Sequence, residues 1–207
     1  VAENFTKTPI IITRLTPFQD FDLIIEAFSY EHGMIKIIAK KFTLSKVKKS
    51  GVVDALTYGE AVYTKQKSNF YKLQELHTLQ AFLPLRQNLT KLETASTLLK
   101  DLKKGLPFEK PTPMLFQLTL SYLKRACLDA TNLSESFKLK LLRHEGVYPL
   151  SLDNDVYESP TLRLMKEEVY FLNSFTFATS FSSIQSFSIP EEMQNKINIL
   201  FQESIVT

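Results

Sequence analysis

Between His32 and Val53 the chain carries six lysines (Lys36, Lys40, Lys41, Lys46, Lys48 and Lys49) and no carboxylate. Lysine is a mobile point charge that suits contact with phosphate oxygens without reading base sequence. Aromatic residues close by in the chain, Phe42, Tyr58, Tyr63, Phe70 and Tyr71, offer ring faces on which unpaired bases stack; Phe42 and Tyr63 are the candidates for that role. The first 80 residues hold 11 Lys/Arg against 8 Asp/Glu, and the rest of the chain holds 14 of each, so the whole formal net charge of +3 resides in the first part. A local density of this kind attracts a polyanion even where the chain as a whole is close to neutral. The plainer alternative is a solvated lysine loop beside aromatics that fill a core.

Other chemistry is sparse. The five glycines form no phosphate-cradling loop. His32, His77 and His144 are scattered and no cysteine cluster accompanies them, so no metal site is expected. Cys127, the single cysteine, cannot form an internal disulfide and reads as a small core residue. Asp20 and Asp22, two apart, read as turn residues before a strand rather than as an acid–base pair. The expectation is a protein without catalytic residues, metal or cofactor, and not an enzyme. No apolar run approaches the ~20 residues of a membrane helix. The segment Val1–Thr6 lacks the features of a secretion signal. No membrane partner and a cytoplasmic location are therefore expected.

The elements that must position these residues fall into two halves. Five short segments in the first ~80 residues read as strands: Thr8–Leu15, Phe21–Tyr30, Met34–Ala39, Val52–Lys65 and Asn69–Thr78, with Gly33 suited to a tight turn. Beyond Pro84 the apolar period changes to three and four. Leu85, Leu89, Leu92, Ala95, Leu98, Leu99 and Leu102 share one helical face. Thr90-Lys-Leu-Glu93 reads as a capping box or a polar turn. Thr112-Pro113 and Asn132 start two more helices, Thr161–Leu172 and Glu191–Glu203 read as helical, Tyr148–Pro160 as a polar loop, and Asn173–Ser188 is ambiguous. The fold class is α+β: an N-terminal five-stranded OB-fold β-barrel over 1–82, then an α-helical domain over 83–207.

Phe18-Gln-Asp-Phe-Asp-Leu-Ile-Ile-Glu-Ala-Phe-Ser-Tyr-Glu-His-Gly33 resembles the N-terminal signature of the RecO family of recombination mediators. Asp20, Asp22, Leu23, Ile24, Phe28, Glu31 and Gly33 occupy its characteristic positions. The family's basic loop follows in register, with Ile38-Ala39-Lys40 at its start, Lys46 and Lys48 on its Lys and Arg positions, and Gly51 at its close. Leu76–Leu99 resembles the family's strand-to-helix junction, and Phe137-Lys-Leu-Lys-Leu-Leu-Arg-His-Glu-Gly-Val-Tyr-Pro149 a later helix end. The likeness covers 18–150. The chain departs from the pattern at Lys41, Thr43 and Val53–Leu56. It also has no counterpart in Leu150–Pro160 of the four zinc-binding cysteines that many relatives carry there.

The resemblance implies binding of single- and double-stranded DNA, annealing of complementary strands, docking of the C-terminal tail of the single-strand binding protein (SSB), and loading of RecA with the partner RecR. DNA contact falls on Lys40, Lys41, Lys46, Lys48 and Lys49, with Arg14, Lys65 and Lys67 as second choices. The SSB tail falls on Phe137 and Leu141 with Lys138, Lys140, Lys124 and Arg125. Ordinary helix-bundle core is the competing account of Phe137 and Leu141. Two rival functions stand beside it: an OB-fold RNA-binding protein that uses the same lysines and aromatics, and a protein-interaction adaptor without nucleic-acid affinity, in which the lysines only solubilise the chain.

Overall fold

Three consecutive isoleucines, Ile10, Ile11 and Ile12, have no exposed surface, which requires a strand covered on both faces. They sit in β1 (Phe5–Phe18), a strand long enough to serve two neighbours. Its first half pairs antiparallel with β4 (Tyr58–Lys65), and its second half with β2 (Asp22–Ser29). β2 pairs with β3 (Gly33–Ala39), and β4 with β5 (Tyr71–Gln80). A short parallel ladder between β3 and β5 closes the barrel in the order β1-β2-β3-β5-β4. That is the five-stranded OB-fold architecture expected from the sequence. The computed structural model describes residues 5–19, 22–40, 53–66, 68–128, 130–151 and 156–206.

The strand interior follows the period of two. Ile10, Ile12, Ile25, Ala27, Ile35, Ile37, Ala39, Ala61, Tyr63, Tyr71 and Leu76 fill the barrel. The opposite face of β1 and β2 is covered by a helix: Phe116 packs against Phe28, Tyr30 and Tyr58 at ring separations of 5.4, 5.6 and 6.4 Å. Phe28 lies opposite Ile11, which explains why the isoleucine run has no wet side. β4 starts at Tyr58 rather than Val52, because Leu56 turns the chain at φ 64° and Ile12 exchanges backbone hydrogen bonds of 2.8 Å with Leu56 and Thr57.

Helices follow β5: α1 (Leu83–Arg86), α2 (Leu89–Gly105), α3 (Pro113–Ala126), α4 (Leu133–Glu145), α5 (Lys166–Phe177), α6 (Phe181–Ser186) and α7 (Glu191–Val206). α2 is capped by Asn88, whose side chain accepts the Lys91 N–H at 3.1 Å, rather than by Thr90. The Thr112 hydroxyl does not cap α3. Asn132 does not cap α4 either; its amide donates to the Ile184 and Phe187 carbonyls at 3.1 and 2.8 Å.

The strand-to-helix change falls at Gln80–Leu83, but two compact units divide the chain elsewhere. One comprises Val1–Leu99 with Leu106–Cys127, and so contains the barrel, α1, most of α2, and α3. The other comprises Lys100–Gly105 with Leu128–Thr207. In this second unit α4 is the buried centre: Leu133, Phe137, Leu139, Leu141 and Leu142 are all within its core, and α7 packs along it with Ile197, Leu200 and Phe201. Residues 157–164 form a two-stranded hairpin, β6 (Tyr157–Glu158) and β7 (Arg163–Leu164), where a helix from Thr161 was expected. The turn is fixed by the Ser159 N–H donating to the Leu162 carbonyl at 2.8 Å, so helix α5 starts only at Lys166.

Candidate nucleic-acid interface

Ile35, Ile37 and Ala39 point into the barrel, so Lys36 and Ile38 share its outer face, and Lys40 is exposed in the turn that follows the strand. Register extends that face across the sheet. Lys36 lies opposite Glu26 on β2, and Glu26 opposite Arg14 on β1. One row along, Ile38 lies between Ile24 on β2 and Lys72 on β5. Arg14 reaches this face through a bulge. Counting by two from Ile12 would turn Arg14 inward, but the extra residue Thr13 shifts the pairing so that Arg14 meets Glu26. The Thr13 hydroxyl then donates to the Glu26 carbonyl at 3.1 Å.

The result is an outer barrel face carrying Arg14, Lys36 and Lys72 around the partly exposed apolar side chains Ile24 and Ile38, with Lys40 exposed just past the end of β3. Glu26 is the acidic member. Among the described residues, neither Lys40 nor Lys72 is held in an ion pair. Such a face can track a phosphate backbone and exclude some water beside it.

Of the residues expected at a DNA interface, Arg14 stands on this face and Lys40 is exposed just past the end of β3. Lys41, Lys46, Lys48, Lys49 and Lys67, with Phe42, lie outside the described residues. Lys65 lies apart from the row. It is ion-paired with Glu109 at 3.0 Å and sits over the Tyr71 ring at 5.6 Å. The hydrogen bond with Glu109 raises the Lys65 ammonium and lowers the Glu109 carboxyl from their usual values. Tyr63, a candidate stacking platform, is instead wholly buried. Its hydroxyl meets Ser29 Oγ and His32 Nδ1, each at 2.9 Å, and burial pushes its phenol upward. Lys36 and Lys72 were not among the expected site residues. Alternation in Lys36-Ile-Ile-Ala-Lys40 is enough to find Lys36, whereas Lys72 joins the face only through the parallel β3–β5 closure.

The residues assigned to the SSB tail are largely taken up inside the second unit. Phe137 and Leu141 have no exposed surface, as the core account has it. Lys138 is buried against Asp101 at 3.4 Å. Lys140 donates to the Thr176 and Ala178 carbonyls at 2.9 and 2.7 Å, which places a cation on the C-terminal end of α5. Burial, and then Arg143, lower its ammonium from the usual lysine range. Lys124 is exposed and Arg125 half-buried on α3. Cys127 donates to the Leu123 carbonyl at 3.5 Å, and burial raises its thiol, the opposite of what a nucleophile needs. No group of three or more His, Cys, Asp or Glu among the described residues is arranged to hold a metal ion. No described helix is long and apolar enough to cross a membrane.

Residues 4–82 match the family described as "Recombination protein O N terminal". Several curated proteins called DNA repair protein RecO are also similar. The one from Thermodesulfovibrio yellowstonii is 24% identical over 185 residues, covering 88% of this chain and 72% of that protein. One from Listeria monocytogenes is 26% identical over 142 residues, covering 67% and 55%. One from Dehalococcoides mccartyi is 30% identical over 147 residues, covering 69% and 57%. The chain thus spans little more than half the length of most of these relatives.

Proposed function

We propose, from the match of residues 4–82 to the family described as "Recombination protein O N terminal", that the protein is a recombination mediator in DNA repair. It binds single- and double-stranded DNA, anneals complementary strands, and with RecR helps load RecA onto SSB-coated single strands. The observation that supports the DNA contact is the set of cations Arg14, Lys36 and Lys72 on one outer face of the barrel, with exposed Lys40 next after β3 in the chain. The work needs no covalent chemistry. Cations on the face screen the repulsion between two strands brought together for pairing. Contact with SSB raises the local concentration of mediator where SSB covers DNA. Because Phe137, Leu141, Lys138 and Lys140 are engaged within the second unit, Lys124, exposed on α3, is the cationic candidate for the acidic SSB tail.

The test is single-strand binding and annealing across a salt series. Changing Arg14, Lys36, Lys40 and Lys72 together to Gln is expected to weaken binding to all sequences alike and to lower the slope of log K against log[salt] by about 3. A second variant, with Lys41, Lys46, Lys48 and Lys49 changed to Gln, measures the share of the loop. Unchanged binding in the first variant removes the barrel face from the DNA site. No nucleic-acid binding by the wild type favours the adaptor reading. Equal affinity for RNA without annealing favours the RNA-binding one.

A further inference from the structure

β3 pairs with β2 along its whole length, but with β5 only at Ile37↔Tyr71 and Ile38↔Lys72. The start of β3 is therefore an open edge, and the segment between α2 and α3 crosses it. Met34 bridges to Phe108, and the Glu109 N–H donates to the Met34 carbonyl at 3.0 Å. Where the β3–β5 ladder stops, a cleft of about 310 Å³ opens, lined by Ile35, Lys36, Asn69, Phe108 and Glu109. That volume lies at the lower end of small-molecule pockets.

Phe108 is the unusual member. Its side chain belongs to no core and is 55% exposed, although it is a large apolar ring. The backbone is tied to β3 through the bridge to Met34, and the next residue, Glu109, adopts φ 57°. Lys36 Nζ lies 5.1 Å from the ring centroid. Lys65 reaches the same neighbourhood through its ion pair with Glu109. The cleft brings an aromatic face, a side-chain amide and Lys36 together, with the Glu109 carboxylate of its lining held by Lys65; the first three match the parts of a single nucleotide. The ring offers stacking, Asn69 can both donate to and accept from a base edge, and Lys36 supplies a cation beside the ring.

We propose that Phe108 is a stacking platform for one unpaired base, with Asn69 meeting its edge and Lys36 an adjoining phosphate. The proposal rests on the DNA-binding reading above and adds a source of strand selectivity. A base inside a duplex is stacked on both sides and cannot enter the cleft, so this contact favours single strands. The cationic face alone does not discriminate in this way.

The experiment compares oligodeoxythymidine with an abasic oligonucleotide of the same length, which keeps the phosphates and lacks the bases. Wild type, Phe108→Leu, Phe108→Tyr and Asn69→Ala are used, each first shown to unfold at the wild-type temperature. The wild type is expected to bind oligodeoxythymidine about tenfold more tightly than the abasic strand. Phe108→Leu should abolish that preference without changing the salt slope, and Phe108→Tyr should retain it. Equal wild-type affinity for the two strands overturns the platform while leaving the phosphate-binding face intact. So does a preference that survives Phe108→Leu. Binding of neither strand removes the DNA reading itself, and the platform with it.

Discussion

The Asp101 carboxylate lies 3.4 Å from the Lys138 ammonium, with the two side chains only 5% and 8% exposed. Burial pushes the Asp101 carboxyl above its usual range, and Lys138 pulls it back. An attraction of about 4 kcal/mol at this kind of separation is offset by a desolvation cost of several kcal/mol for each ion. The pair therefore adds little net stability, but losing one partner strands the other in the core of the second unit. Asp101→Asn is expected to destabilise by about 3–5 kcal/mol. The double change Asp101→Leu, Lys138→Met should recover most of that loss. Urea unfolding of the three proteins checks both parts; a single variant as stable as wild type would sink the argument.

Gly33 closes the β2–β3 hairpin at φ 68°. A Cβ there would collide with the carbonyl oxygen of Lys110, in the segment that carries Phe108. Gly33→Ala thus meets two penalties: the left-handed backbone costs roughly 1–2 kcal/mol for an L-residue, and the segment must move. Thermal unfolding should show the lower stability. Amide exchange should show the Glu109 N–H, bonded to the Met34 carbonyl, losing protection before the rest of the barrel. Uniform loss across the barrel would mean that the collision is relieved elsewhere.

The barrel was legible because its signals are local. Period-two runs such as Met34–Ala39 and the glycine turn at Gly33 depend on neighbours a few residues away, and the lysine face of β3 follows from the same alternation. What stayed hidden depends on distant pairing. Nothing near Lys72 says that β5 runs parallel to β3, and Thr13 looks like any strand residue until the bulge turns Arg14 outward. Phe137 and Leu141 show the reverse problem. Their helical spacing serves a groove or a core equally well, and only burial by the surrounding second unit decides for the core. In the segment 157–164, helix-compatible residues were overruled by a turn whose anchor, Glu203, lies on the last helix.

That anchor gives a pH prediction. Glu203 accepts hydrogen bonds from Thr161 Oγ1 and from Ser159 Oγ, the latter at 2.8 Å, and so holds the β6–β7 hairpin in a region without cysteines. These bonds, Thr161 first and then Ser159, lower the Glu203 carboxyl from its ordinary value. Because the folded value lies below the unfolded one, the bonds contribute fully above the ordinary glutamate range of about 4.3. Their contribution fades as the pH falls through the depressed value. Hairpin protection, read as the exchange protection factor of the Ser159 amide, is expected to be high near neutrality and to drop in acid. Glu203→Ala should lower that protection at neutral pH and flatten its pH dependence, with little effect on overall unfolding because the carboxylate is close to solvent. Equal protection in variant and wild type at every pH would show that the hairpin is held by Tyr157↔Leu164 and Glu158↔Arg163 pairing alone.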